Sequence, residues 1–320
     1  MAGIKVSAWD AEVHEISSFF LSRTLNVSHL PHSFPDGSGV AQWDRRKVTA
    51  DFISVQEAGK ADKISVQCLN PDQMSRLVQY LETGRLDYQK ALRLQQFFAR
   101  KPAEEATKEF RNVLILTEHA PVFTVGIRSN AYTAQEVEKL QDIGADFYKT
   151  NRGGLITFHG PGQLIAYPIL NLRHFQPSVR WYVGKIEQTI VELCKKFNIR
   201  GERTRDMGVW VKDKKICALG LHVSRQITSH GMALNCNTDL SWFRHIVPCG
   251  LVGKGVTSIS EQLGRNVEIG EVIPPFLDSF KDTFECQLEK FPDAGRFDLF
   301  NYINEDDGQP DDVAKVKRKQ

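Results

Sequence analysis

No run of eighteen apolar residues occurs in the 320-residue chain, so it lacks the sequence signal of a membrane-spanning helix. The first residues also lack the basic, apolar and small-residue segments of a secretory signal. Charge of one sign is equally scarce. A formal net charge of +2 gives no broad basic face suited to phosphate backbones, and the aromatic residues are not interleaved with a basic stripe, so nucleic-acid binding has little support. The six cysteines show neither paired C-x-x-C spacing nor the density of a disulfide scaffold. They fit a reducing compartment with buried thiols. Three catalytic signatures are missing as well: a Walker A loop, a G-x-G-x-x-G dinucleotide turn and a G-x-S-x-G nucleophile elbow.

What is present is a body of mixed helical and strand signals between two polar ends. Residues 1–62 carry Pro31, Pro35, Gly37 and Gly39 without a long periodic apolar pattern and read as an N-terminal extension. As a targeting segment they are poor, because Asp10 and Glu12 come early and Arg23 is the first arginine. Residues 292–320 read as a charged tail, with Glu305, Asp306, Asp307, Asp311 and Asp312 ahead of Lys315, Lys317, Arg318 and Lys319. Between them, residues 63–291 are expected to form one catalytic domain.

Within that body, Ile64–Cys68, Val113–Leu116, Leu164–Leu170, Gly208–Val211, Ile216–Val223 and Met232–Asn235 read as strands. Pro168 should hold its strand at an edge or an irregular place. Helices are expected over Asp87–Phe98, over Ala134–Leu140, after a Ser178 cap through Ile186, Ile190, Leu193 and Phe197, and along Phe276, Phe280, Phe284 and Leu288. Arg100–Glu109 reads as a charged hinge or insertion. The fold class is α+β, or mixed α/β, centred on a sheet.

Three segments carry the chemistry. In the first, from Arg152 through Gln163, closely spaced glycines beside Arg152 and His159 offer exposed amides for a carbonyl oxygen or a polar carrier segment. A packed turn around a satisfied histidine fits the same residues. The second begins at Asp206 and runs to Gly220; Lys215, at the start of an apolar strand, would stabilise a thiolate if one meets it in space, or would simply face solvent. The third, from Ser229 to Gly250, ends with Cys249 between Pro248 and Gly250, a turn setting that exposes a thiol or buries an inert one. Cys217 and Cys236 lie in strand-like sequence and read as structural. His222, His230 and Cys236 match no strong zinc spacing, so no metal site is expected.

Taken together, Arg152-Gly153-Gly154 through Gln163, Lys215 through Gly220, Ser229-His230-Gly231 through Asp239, Ile246 through Gly253, and Thr257-Ser258 resemble the LipB-type lipoyl/octanoyl transferase family, most closely its animal mitochondrial branch. The resemblance runs from about residue 65 to about residue 288 and includes Leu116–Thr124. It implies a domain similar to the catalytic domains of biotin and lipoate protein ligases, acting as a monomer without metal, nucleotide or other cofactor. It implies octanoyl-acyl carrier protein as donor, with acceptors in the lipoyl domains of 2-oxoacid dehydrogenase E2 subunits and in the glycine cleavage H protein. The expected compartment is the mitochondrial matrix. By this resemblance Cys249 is the nucleophile that carries the acyl thioester, and Lys215 activates and orients its thiol. Arg152, Gly153, Gly154, Leu155, Ile156, Thr157, Phe158 and His159 would line the substrate site, with Ala218, Leu219, Gly220, Gly231, Met232 and Ala233 giving close contacts beside an extended chain. Two competing readings stand: an ATP-dependent lipoate or biotin ligase, which needs no cysteine, and a non-catalytic protein that binds carrier domains.

Overall fold

Alternation along two central strands sets the architecture. In Asn112–Glu118 the side chains of Leu114 and Leu116 enter one apolar cluster while Val113 and Ile115 enter another, and in Gln163–Ile169 Leu164 and Ala166 separate in the same way from Ile165, Tyr167 and Ile169. Strands apolar on both faces need a layer on each side. The computed structural model supplies both layers. It describes residues 4–7, 53–57, 63–68, 76–104, 111–128, 132–246, 254–304 and 314–316.

The chain divides into two units, Met1–Met74 and Ser75–Gln320. In the first, β1 (Ile4–Ser7), β2 (Ile53–Glu57) and β3 (Lys63–Cys68) form an antiparallel sheet in the order β1-β3-β2. The strand expected at Ile64–Cys68 pairs with β1 and β2.

The second unit contains β4 (Leu77–Arg85), α1 (Tyr88–Glu104), β5 (Asn112–Glu118), β6 (Val122–Val125), α2 (Ala134–Asp142), β7 (Asp146–Lys149), β8 (Thr157–His159) and β9 (Gln163–Ile169). It continues with α3 (Val179–Lys196), β10 (Glu202–Arg203), β11 (Val209–Val211), β12 (Lys214–Ser224), β13 (Ile227–Asn235), β14 (Gly255–Val256), α4 (Ile259–Leu263), α5 (Ile269–Phe284), β15 (Gln287–Lys290), α6 (Asp293–Asn304) and β16 (Ala314–Lys315). The main sheet runs β10-β11-β12-β13-β9-β5-β4-β15, with β14 added beside β12. Tyr182, Ile186, Ile190 and Leu193 of α3 and Phe276, Phe280 and Phe284 of α5 fill one cluster; Ala91, Leu94 and Phe98 of α1 and Leu299 and Ile303 of α6 fill the other. A smaller sheet, β16-β7-β6-β8, packs Phe123, Phe147 and Phe158 against Val137 and Leu140 of α2.

Four expectations need revision. Pro168 lies in β9, which sits between β13 and β5, well inside the sheet. It is tolerated there because the β13 ladder on that side stops at the pair Met232–Ala166, so the missing N–H breaks no rung. Helix α1 runs on to Glu104, into the stretch read as a hinge. Helix α5 ends at Phe284 because Glu285 turns left-handed at φ 52°, and Leu288 lies on β15 beside β4. The stretch read as a charged tail begins with α6, whose Leu299 and Ile303 are buried.

Candidate active site

The two short runs singled out in the second and third segments are cross-strand partners. In the antiparallel ladder of β12 and β13, Ala218 faces Ala233, Leu219 faces Met232 and Gly220 faces Gly231. Beside them a cavity of about 40 Å³ is lined by these six residues together with Arg152, Gly154, Leu155, Thr157 and His159. Ile156, just before β8, and Phe158, within it, enter the cluster around Phe123, and Gly153 ties the loop to β12 by donating its N–H to the Leu221 carbonyl at 2.9 Å. Tyr88, Ile165, Tyr167 and His230 also line the cavity and were not singled out for it. For Ile165 and Tyr167 the signal was available: they share one face of a strand that was recognised, at the two-residue period.

The glycines were expected to clear a path for an extended ligand. In the structure they make room for the protein itself. A β-carbon on Gly220 would lie 2.7 Å from Cδ of Arg152, and one on Gly231 would overlap the Ala166 carbonyl oxygen.

Arg152 is buried against Gly220, and one of its terminal nitrogens donates to the Thr124 carbonyl at 2.7 Å, the Thr124 hydroxyl at 3.0 Å and the Leu155 carbonyl at 3.0 Å. From there a chain of hydrogen bonds crosses the site. The Thr124 hydroxyl lies 3.2 Å from Nε2 of His159, whose Nδ1 lies 2.9 Å from Oε1 of Gln163. The Gln163 amide donates to Oδ1 of Asn235 at 2.8 Å, and the Asn235 amide donates to the Thr257 carbonyl at 2.9 Å. With Gln163 Oε1 as acceptor, His159 must be protonated on Nδ1 and accept from Thr124 on Nε2. Thr257 in turn donates its N–H to the Lys215 carbonyl at 2.9 Å.

His159 within this chain and two buried histidines beside it, His119 and His230, are neutral. Nδ1 of His119 donates to the Leu86 carbonyl at 2.6 Å, which leaves Nε2 to accept from the Tyr167 hydroxyl at 2.8 Å. Burial lowers its pKa to about 4, partly opposed by the Leu86 carbonyl. Burial first, then His119 and Arg152, lower that of His159 to about 3; burial, Arg152 and His222 do the same for His230, also to about 3. His230 has a left-handed φ of 55°, and is held by Gln95, which accepts its backbone N–H at 2.7 Å, and by Asn151 at 2.8 Å from Nε2. Burial also raises the phenols of Tyr88 and Tyr167 above their usual range. The cavity wall thus offers polar groups without net acid or base at neutral pH, apart from the Arg152 cation.

Lys215 was expected either in a cleft or facing solvent, and it is 7% exposed. Its ammonium donates to the Met207 carbonyl at 2.9 Å and lies 4.8 Å from the centre of the Trp210 ring. It does not line the cavity; it precedes Ala218 by one turn of the strand's alternation and a half. Cys249 lies outside the described residues. The flanking chain returns at β14, where Gly255 and Val256 pair in parallel with Lys214 and Lys215. The thiols of Cys194, Cys217, Cys236 and Cys286 are buried. Burial pushes those of Cys194, Cys236 and Cys286 up to about 12 and that of Cys217 well above its ordinary value, so none of the four supplies thiolate at neutral pH. Among the described residues no group of three or more His, Cys, Asp or Glu side chains is placed to hold a metal ion, and no helix is long and apolar enough to cross a membrane.

The sheet-centred mixed α/β fold is shared with lipoate protein ligases. Lipoate-protein ligase A, in a crystal structure bound with ATP, superposes with a TM-score of 0.54 at 13% identity, covering 71% of this chain and 94% of that one, a likeness of fold alone. Residues 87–281 match the family model of the lipoyl protein ligase A/B catalytic domain, and the chain belongs to that family. It is similar to the mitochondrial octanoyl-acyl-carrier-protein:protein N-octanoyltransferase of Danio rerio, 53% identical over 211 residues, which are 66% of this chain and 94% of that one. The human protein of the same name is 46% identical over 220 residues, 66% of this chain and 95% of that one. With relatives of this kind the chain is an acyltransferase.

Proposed function

We propose that the chain is an octanoyltransferase of protein lipoylation, taking octanoyl from octanoyl-acyl carrier protein and passing it to a lysine of lipoyl domains through a thioester on Cys249. The observation that carries the reading is the contrast among the polar groups. Four described thiols are buried and held neutral, while Lys215 keeps a buried ammonium on the strand to which the chain returns six residues after Cys249.

The Cys249 thiolate attacks the donor's thioester carbonyl; the carbon–sulfur bond to the carrier breaks and the carrier leaves as its thiol once protonated. The neutral amine of the acceptor lysine then attacks the octanoyl-enzyme, forms the amide, loses a proton and returns the Cys249 thiolate. Exchange between thioesters is nearly balanced, and amide formation makes the sequence downhill. The Lys215 ammonium favours thiolate over thiol by its charge. The octanoyl chain enters beside Ala218–Gly220 and Gly231–Ala233, with Met232, a flexible side chain, moving aside to enlarge the cavity. Acceptors are the lipoyl domains of 2-oxoacid dehydrogenase E2 subunits and the glycine cleavage H protein, and the compartment is the mitochondrial matrix. The naming of the animal relatives as mitochondrial supports the mitochondrion, and the matrix follows from the proposed donor and acceptors.

The test is a short incubation with octanoyl-acyl carrier protein in the absence of ATP, followed by peptide mass analysis. A hydroxylamine-labile octanoyl group on the peptide containing Cys249 is expected, and Cys249→Ala should lose both self-acylation and transfer. Acylation only at another cysteine would overturn the nucleophile. Transfer that needs ATP and free octanoate would make the chain a ligase, and no covalent acyl group with tight carrier binding would make it a binding protein. Protease protection in isolated mitochondria checks the compartment.

A further inference from the structure

A carboxylate in the middle of an otherwise apolar helix face is costly unless something holds it. Glu187 is in that position on α3, one residue from the buried Ile186 and three from the buried Ile190, with its side chain 7% exposed. Its two oxygens have different partners. Oε2 accepts from Nε of Arg203 at 3.1 Å, and Oε1 accepts from the backbone N–H of Gly208 at 3.0 Å.

That N–H belongs to the peptide unit joining Met207 to Gly208, and the carbonyl of the same unit accepts from the Lys215 ammonium at 2.9 Å. One rigid plane is therefore held at its positive end by an anion and at its negative end by a cation, the orientation in which each bond polarises and strengthens the other. The surrounding turn is built for this. Gly208 has φ 118°, and a β-carbon there would lie 2.6 Å from the Cys217 carbonyl and 3.3 Å from Cε of Lys215, so the lysine stem rests directly on the glycine. Asp206, at the other end of the turn, accepts from the Trp210 indole through its backbone carbonyl at 2.9 Å and pairs with Lys254 at 2.6 Å through its carboxylate. Three successive residues thus meet three different elements, and the middle one holds the lysine.

We infer that Glu187 is the positioning residue for Lys215, acting through the Met207–Gly208 peptide. It fixes the rotation of that plane, and the Met207 carbonyl then sets where the ammonium sits. The consequence for the thiol rests on the reading of Lys215 as the partner of Cys249; the placement of the ammonium does not.

The experiment follows both groups separately in the full chain. Acetic anhydride labelling of Lys215, resolved by peptide mass, reports the amine, and the pH profile of Cys249 alkylation by iodoacetamide reports the thiol. Glu187→Met fills the space and removes the acceptor, and the Lys215 labelling rate at fixed pH should rise by at least about threefold as the amine loses its hold on the Met207 carbonyl. Glu187→Gln keeps an oxygen for the Gly208 N–H and should return the rate toward that of the parent. Ile190→Ala, on the same helix face, should lower Tm without moving Lys215 labelling, which separates positioning from general loosening. An unchanged Lys215 rate in Glu187→Met, or an equal rise in Ile190→Ala, overturns the inference; should the Met variant fail to fold, a Gln variant labelled as fast as unfolded chain does the same. A raised Lys215 rate with an unchanged Cys249 profile upholds the positioning and removes Lys215 from the thiol's chemistry instead.

Discussion

Gly231 of β13 approaches Ala166 of β9 so closely that no β-carbon fits between its Cα and the Ala166 carbonyl oxygen. The same absent carbon would also lie 2.8 Å from Cδ of Pro168. Both neighbours belong to a central strand that cannot retreat. Gly231→Ala should therefore destabilise by about 3 kcal/mol or more, the upper end of overpacking costs. At Gly220 the obstacle is the flexible stem of Arg152, and Gly220→Ala should fold with a smaller loss. Urea midpoints decide; equal losses at the two sites would mean that β9 gives way as easily as a side chain.

Thr124 connects Arg152 to His159 with a single hydroxyl. Thr124→Val keeps the shape and leaves a buried ring nitrogen without its donor, so a loss of about 1–3 kcal/mol is expected. Thr124→Ser should recover most of it. Equal stability of the Val variant and the parent would show that the hydroxyl is dispensable.

His119, His159 and His230 all titrate lower when folded than the ordinary 6.5. The folded state then holds fewer protons than the unfolded chain below pH 6.5. Stability is full above that value and drains as pH falls toward the folded values near 4 and 3. Each ring removes up to about 1.4 kcal/mol per pH unit inside that window. Denaturant midpoints should fall clearly from pH 7 to pH 5, and His230→Asn, which tolerates the left-handed backbone, should flatten the slope by one ring's share. A flat midpoint over this range would contradict the neutral assignment.

If Met232 moves aside for the acyl chain, Met232→Leu should change stability by less than about 1.5 kcal/mol while stiffening the wall. Capture of octanoyl from its carrier should slow at least tenfold, and capture of butanoyl much less. Equal slowing for both chain lengths would place the acyl group elsewhere.

Leu299 and Ile303 bring α6 into the cluster with Ala91, Leu94 and Phe98. Leu299→Ala and Ile303→Ala should each cost about 2–5 kcal/mol in urea unfolding. Losses below a tenth of that would return this helix to the status of a loose tail.

The legible parts of the fold were those with a local period. Ile186, Ile190 and Leu193 announced α3, Ser178 capped it as expected by accepting from the Trp181 N–H, and the three strands from Val209 to Asn235 followed their apolar runs. Local rules misplaced Pro168 because they carry no knowledge of where a neighbouring ladder stops. They carried Leu288 one turn too far because Phe276, Phe280 and Phe284 set a helical rhythm that Glu285 interrupts only through its backbone. Family resemblance pointed to Arg152, His159 and Lys215, yet their partners lie at long range: Thr124 is 35 residues from His159, Gln163 is 72 from Asn235, and Glu187 is 21 from Gly208. No spacing rule connects such positions, and none distinguishes a lysine buried under Trp210 from one in water.

The string from Arg152 to Thr257 has a direction. It begins on a guanidinium, which can only give protons, and ends on a carbonyl, which can only take them, so every hydroxyl, ring and amide between them faces the same way. No link can turn round alone without setting donor against donor on one side and acceptor against acceptor on the other. Like a row of gears on one shaft, the string keeps a single handed setting across four separate stretches of chain, and His159, where the string reaches the cavity wall, has its ring hydrogen already committed to Gln163.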